Sequence, residues 1–170
     1  AMFFFVLLLL LAAGVLFFLQ QPMFGALPAG ERLARIQQSP NYRAGAFQNL
    51  SETPVQSEDF SFWGTLWKFL NPSKSSEPQT PIPVVKTDLR QLPADKTSLV
   101  WFGHSSYLLK TDGRVILVDP VFSGHAGPFS FMTRSFAGTD AYAASDFPEI
   151  DVLLLTHDHY DHLDYKTILQ

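Results

Sequence analysis

The longest apolar run of the sequence lies at the N-terminus, from Ala1 to Leu19, and no charged residue precedes Glu31. A helix of about 20 residues crosses the hydrocarbon core of a bilayer, because each residue adds about 1.5 Å. Residues 1–20 are therefore predicted to form a transmembrane anchor, which would make the protein membrane-associated. The sequence does not determine on which side of the membrane the rest of the chain lies. Two alternatives remain: a cleaved signal segment, whose apolar part is typically about 7–15 residues long, and a buried core helix.

A second apolar pattern has a helical period and lies between residues 60 and 70. Its apolar residues fill one half of a helical wheel and are Phe60, Phe62, Trp63, Leu66, Trp67, Phe69 and Leu70. Ser57, Glu58 and Asp59 suit its start, and the Pro-rich stretch 71–83 predicts a linker inside an extension covering 21–97. Two Trp residues suit a helix lying in a membrane interface, but packing on a neighbouring domain explains the same face.

From residue 98 onward, short apolar runs alternate with turn signals, which is typical of a compact α/β domain over 98–170. The predicted strands are Ser98–Phe102, Tyr107–Thr111, Arg114–Val118 and Ile150–Leu155. Asp112-Gly113 predicts a two-residue hairpin turn. The last strand is expected to be buried, because it is short and rich in branched aliphatic residues.

A long connection, from Pro120 to Pro148, separates the last two predicted strands and has no helix or strand period. Loops of this length in compact domains are usually lids or binding surfaces. Its large apolar residues are Phe122, Phe129, Phe131, Met132 and Phe136. They suit contact with acyl chains, and they equally suit a role in covering the core.

The segment Thr156–His162, directly after the last predicted strand, holds three His and two Asp residues. Neutral imidazole and carboxylate are ligands that zinc prefers, and a loop at a strand end can present several of them to one ion. A solvated polar loop is the weaker alternative. The sequence contains no Cys, so a metal here would be held by nitrogen and oxygen atoms alone.

Three motifs occur in a characteristic order: Trp101–Ser106, Val118–Ser123 and His157–Tyr165. Together they resemble the metallo-β-lactamase fold superfamily. Within it they are similar to the branch of N-acyl-phosphatidylethanolamine-hydrolysing phospholipase D and its bacterial relatives. The resemblance runs from about Leu99 to Gln170.

The resemblance implies an α/β fold: the N-terminal half of an αββα sandwich, preceded by the apolar helix and the extension. It also implies two zinc ions per full-length chain, with His157 and His159 on one ion and Asp161 and His162 on the other. Asp161 could in addition accept a hydrogen bond from the attacking water, a catalytic role. The second half of the fold would supply the remaining ligands. We therefore expect the sequence to be the N-terminal part of a longer enzyme, inactive by itself.

Other polar residues have weaker predicted roles. Asp119 matches a superfamily residue that supports the metal loop, although a turn-initiating Asp before Pro120 is an alternative. His104 could approach the site as a substrate-binding or supporting residue. His125 is expected to be solvated, and Asp164 is expected to cap the helix that follows the motif.

The net charge of −4 and the lack of a basic cluster argue against nucleic acid as a partner. The resulting hypothesis is a membrane-associated, metal-dependent phosphodiesterase that acts on phospholipids. Two alternatives remain. One is a lactonase or another small-substrate hydrolase of the same fold, and the other is a non-catalytic, membrane-tethered metal-binding module.

Overall fold

The computed structural model describes residues 2–54, 56–131 and 133–170. Two compact units make up the chain, one from Ala1 to Asn71 and the other from Pro72 to Gln170. Ala1 and Met132, which belong to predicted segments, lie outside the described residues.

Within its described residues, the first unit contains three α-helices and a small hairpin. Its elements are α1 (Met2–Leu19), α2 (Gly30–Gln37), β1 (Tyr42–Arg43), β2 (Ala46–Phe47) and α3 (Phe62–Leu70). The α1 helix is apolar on all sides, and none of its described side chains is buried. A helix of that kind needs an apolar surrounding. Its exposure argues against the alternative of a buried core helix. It is long and apolar enough to cross a membrane, a property that a signal sequence shares.

The α3 helix begins later than the sequence indicated. Ser61 is its N-cap, since the Ser61 hydroxyl oxygen accepts a hydrogen bond from the backbone N–H of Gly64 at 3.2 Å. The predicted start at Ser57–Asp59 is therefore wrong, whereas the predicted end at Asn71 is confirmed. No α3 side chain is buried, and Trp63 and Trp67 are 75% and 69% exposed.

The second unit is built on one mixed four-stranded sheet. Its elements are β3 (Ser98–Gly103), β4 (Ser106–Thr111), β5 (Arg114–Val118), β6 (Val152–Leu154) and α4 (Tyr165–Ile168). The strands lie in the order β3-β4-β5-β6, antiparallel except for the parallel pair β5 and β6. Asp112 and Gly113 both have positive φ, 49° and 74°, as the predicted hairpin turn requires. The mixed sheet after an apolar helix confirms the predicted α/β class.

The core lies on one face of this sheet. Leu108 and Leu117 are cross-strand partners in β4 and β5, and both are buried. The long connection covers them with aromatic rings. The Phe102 ring contacts those of Phe122 and Tyr142, with centroids 5.3 and 4.9 Å apart. Phe122 thus has the core-covering role that was one of two predicted alternatives.

The end of the sheet at β6 differs from the prediction. The strand spans only Val152–Leu154, and its three side chains are 40–45% exposed. Because β6 is an edge strand that pairs with β5 alone, no described element covers its outer side. The predicted strand is therefore confirmed, but its predicted burial is wrong.

Candidate metal centre

The site forms where the parallel strands β5 and β6 end together. Asp119 follows β5 directly, and its backbone N–H donates to the carbonyl oxygen of Leu154 at 3.0 Å. This bond continues the ladder by one step and sets Asp119 beside Thr156, which begins the His-rich motif. Ligands commonly bind at the carboxyl ends of parallel strands.

Asp119 is fully buried, and its carboxylate accepts three hydrogen bonds. The donors are the backbone N–H of Thr156 at 2.8 Å, the Thr156 hydroxyl at 2.7 Å and the His162 Nδ1–H at 2.8 Å. Burial by itself raises the pKa of Asp119, but these hydrogen bonds outweigh it and hold the pKa below its ordinary value. Asp119 is therefore an ionised acceptor that ties the motif to the sheet, rather than a plain turn residue.

These hydrogen bonds also fix the tautomers of two histidines. Since the Asp119 carboxylate can only accept, His162 must carry its proton on Nδ1, which leaves a lone pair on Nε2. The Thr156 hydroxyl donates to Asp119, so its oxygen is free to accept from His157 Nδ1 at 3.1 Å. His157 thus also has a free Nε2. Sequence reasoning gave Thr156 no role, although its place between a strand and the first His was a usable signal.

The motif itself is a tight loop. The backbone N–H groups of His162 and Leu163 both donate to the carbonyl oxygen of His159, at 2.9 and 2.8 Å. The ring centroid of His157 lies 4.6 Å from that of His159 and 3.9 Å from that of His162. The loop therefore gathers the three imidazoles on one side.

Asp161 and His162 meet a third residue, His104. One ligand atom from each of these three side chains lies within 4.8 Å of the other two. His157 and His159 are not part of this three-residue group, although their rings lie beside it. Because the His157 ring lies closer to His162 than to His159, the ring positions do not divide the four predicted ligands into two pairs, and the assignment of each ligand to an ion stays a prediction.

Asp164 anchors the far end of the motif and is buried. Its carboxylate caps α4 by accepting from Lys166 N at 3.1 Å, as predicted, and it also accepts from the Ser123 backbone N–H at 2.8 Å. Burial by itself raises the pKa of Asp164, but hydrogen bonds from Thr167 and Ser123 lower it below its ordinary value. Asp164 therefore holds the long connection against α4.

His125 lies in that long connection and is buried, so its predicted solvation is wrong. Its Nδ1 lies 3.0 Å from the carbonyl oxygen of Gly127, and its Nε2 lies 3.2 Å from Lys166 Nζ. The reason is that the connection folds back onto α4, a long-range contact that the local sequence does not encode. These partners give His125 a structural role.

The donor set suits a divalent metal ion. It consists of imidazole nitrogens with free lone pairs and a carboxylate, without sulfur, and two of the imidazoles are oriented from behind by Asp119 and Thr156. Hydrogen-bonded support of this kind is typical of metal-binding histidines.

Comparison with known proteins agrees with this geometry. Residues 98–170 match the sequence family described as "Beta-lactamase superfamily domain". This region belongs to that superfamily. The resemblance inferred from the three motifs is thereby confirmed, and the match begins at the first strand of the sheet.

Individual relatives carry the comparison further. An uncharacterized protein of Mycobacterium tuberculosis is 34% identical over 134 residues, which is 78% of this chain and 36% of the relative. The "N-acyl-phosphatidylethanolamine-hydrolyzing phospholipase D 1" of Caenorhabditis elegans is 39% identical over 73 residues, 40% of this chain and 19% of the relative. A "UPF0173 metal-dependent hydrolase" of Agrobacterium fabrum is 40% identical over 65 residues, 38% of this chain and 24% of the relative.

The chain thus spans about a third of the length of the mycobacterial relative, 36%. The nematode relative is named as hydrolysing N-acyl-phosphatidylethanolamine, and the UPF0173 relatives in this comparison are named as metal-dependent hydrolases.

Proposed function

We propose that the full-length protein is a membrane-associated, metal-dependent hydrolase of phosphodiester bonds. Its activity would be of the phospholipase D-like type, on phospholipids that include N-acyl phospholipids. The observation that carries the proposal is the fixed orientation of His157 and His162, whose free Nε2 atoms lie in one loop with the Asp161 carboxylate.

The proposed centre holds two zinc ions. His157 and His159 would bind one ion, and Asp161 and His162 would bind the other. Such a pair would supply Lewis acidity and a water activated at neutral pH. The protein would contribute the orientation of the ligands through Asp119, and Asp161 would also accept a hydrogen bond from the attacking water.

Lipid as the substrate is supported by three further observations. One relative is named for the hydrolysis of an N-acyl phospholipid. The α1 helix is also long and apolar enough to hold the protein at a membrane. Within the long connection, Phe129, Phe131 and Phe136 are 42%, 70% and 43% exposed, which leaves apolar side chains available to an acyl chain.

The test is an assay of the purified full-length protein with measured zinc content on three substrate classes: N-acyl phospholipids in vesicles, soluble phosphodiesters and lactones. We expect turnover of the first two classes and about two zinc ions per chain. Turnover of lactones alone would favour the small-substrate alternative. Bound zinc without turnover of any class would favour the non-catalytic module, and full activity without metal would refute the proposal.

A matched pair of variants tests whether the chemistry takes place at the motif. Asp161→Ala should reduce turnover by several orders of magnitude with little loss of stability, because the side chain is 44% exposed and supports no core contact. Asp158→Ala is the control, since Asp158 is an exposed carboxylate of the same loop without a predicted ligand role. Equal effects of the two variants would contradict the assignment.

A further inference from the structure

The His104 side chain reaches the motif from a part of the sheet that is distant in sequence. His104 and Ser105 form the tight turn between β3 and β4, with φ of 118° at Gly103 and 45° at His104. A positive φ is uncommon for residues other than Gly, although His adopts it more often than most, and such conformations cluster at functional sites. The indole N–H of Trp101 donates to the carbonyl oxygen of His104 at 2.9 Å and holds this conformation.

The result of this geometry is a convergence of three ligand atoms. His104 Nε2 lies 3.0 Å from Asp161 Oδ2 and 3.3 Å from His162 Nε2. The remaining separation, between His162 Nε2 and Asp161 Oδ2, is 3.9 Å. Tetrahedral zinc with bonds of about 2.0–2.2 Å has ligand atoms about 3.4 Å apart. The three separations bracket that value.

The charges at this point also favour a cation. His162 presents a lone pair on Nε2, because Asp119 holds its proton on Nδ1. Asp161 presents a carboxylate, and among the described residues its ion-pair contacts are with His104 and His162 rather than with Lys or Arg. A divalent ion at this point would satisfy all three groups together.

We propose that His104 is a direct metal ligand that joins Asp161 and His162 at one of the two ions. The inference rests on the proposed function, since it concerns the same centre. It assigns a metal-binding role to the β3–β4 turn, so that ion binding connects this turn to His162 of the motif, 58 residues later.

The variant that tests this proposal is His104→Asn in the full-length protein. Asn adopts positive φ readily, so the turn is retained, while its side chain is too short to reach the ion. Zinc affinity is measured by competition with a chromogenic chelator, and the number of imidazoles per zinc is measured by X-ray absorption. We expect the affinity for one of the two zinc ions to fall by more than the roughly 10–100-fold that removal of a supporting residue causes. We also expect a lower imidazole count.

Ser105→Ala is the matched control, because Ser105 lies in the same turn and has no atom in the group. His104→Gln separates ligation from hydrogen bonding, since Gln can still donate to Asp161. Unchanged affinity and imidazole count in His104→Asn, or full restoration by His104→Gln, would overturn the proposal.

A measurement on the wild-type protein covers the case in which the variant fails to fold. Nitrogen-15 NMR of the His rings should show a shift at His104 Nε2 upon addition of zinc, and absence of that shift would refute direct ligation. If zinc shifts His157 and His162 but not His104, this inference fails while the proposed function stands. If no ring shifts, the proposed function fails with it.

Discussion

Asp119→Asn is the substitution that best distinguishes the effect of Asp119 on metal binding from its effect on the stability of the fold. Asn has nearly the same shape and tolerates the left-handed backbone at this position, where φ is 43°. Its oxygen can still accept from the Thr156 backbone N–H, but its NH₂ group replaces the carboxylate oxygen that faces His162. An amide donor in that place forces the His162 proton from Nδ1 to Nε2. The lone pair that would bind the metal is then lost.

The expected magnitudes follow from these contacts. Hydrogen bonds to a charged group contribute about 1.5–3 kcal/mol and neutral ones about 0.5–1.5 kcal/mol. Three bonds to Asp119 are weakened, but the substitution also relieves the cost of burying a charge. We therefore expect a loss of about 1–3 kcal/mol in the free energy of unfolding. Metal affinity should fall about 10–100-fold, as for other residues that orient metal-binding histidines.

The assay pairs urea unfolding with zinc competition, and nitrogen-15 NMR reports the His162 tautomer. Asp112→Asn is the control: it removes the same charge from an exposed hairpin turn where Asn-Gly is favourable. A variant at Asp119 that keeps both the Nδ1–H tautomer and wild-type zinc affinity would refute the reasoning. A lower free energy of unfolding with unchanged zinc affinity would show that Asp119 stabilises the fold without orienting a metal ligand.

Three other predictions follow from the fold. Asp164→Asn should lower the free energy of unfolding by about 1–2 kcal/mol at neutral pH, measured by urea titration. Because its folded pKa is depressed, the contribution of Asp164 is complete above about pH 3.9 and is lost as pH falls through the lower folded value, so the variant and the wild type should converge there. Deletion of residues 2–19 should release the protein from membranes in fractionation, and continued tight binding would make α3 the main anchor. Replacing both Trp63 and Trp67 with Ala should reduce vesicle binding and leave the melting temperature nearly unchanged, since both side chains are exposed; a drop in melting temperature would show packing instead.

The accuracy of the sequence predictions depended on how local the deciding contacts were. The turn at Asp112-Gly113 depends on two residues and was correctly predicted. The burial of β6 depends on what covers the sheet edge, and that prediction was wrong. His125 was wrongly expected in solvent, because Lys166, its partner, lies 41 residues away. The α3 start was misplaced because Ser57 and Asp59, which precede Ser61, also suit an N-cap.

The same distinction applies to the candidate site. The motif Thr156–His162 is contiguous, so the candidate ligands could be read from the sequence. Their orientation could not, because it depends on Asp119, 43 residues before His162. The approach of His104 is likewise set by register between β3 and β4 and by the left-handed turn, neither of which a local pattern specifies.

The motif lies between two buried carboxylates, one at each end. Asp119 holds Thr156 and His162, while Asp164 holds Ser123 and the start of α4. Neither is paired with Lys or Arg in the described structure. Their charges are stabilised by N–H and O–H donors, including the His162 ring. Two negative charges therefore lie beneath the cluster of imidazole rings and the Asp161 carboxylate. These buried negative charges attract a cation to the loop. Because they also hold the loop in place, metal binding would need no change in the backbone.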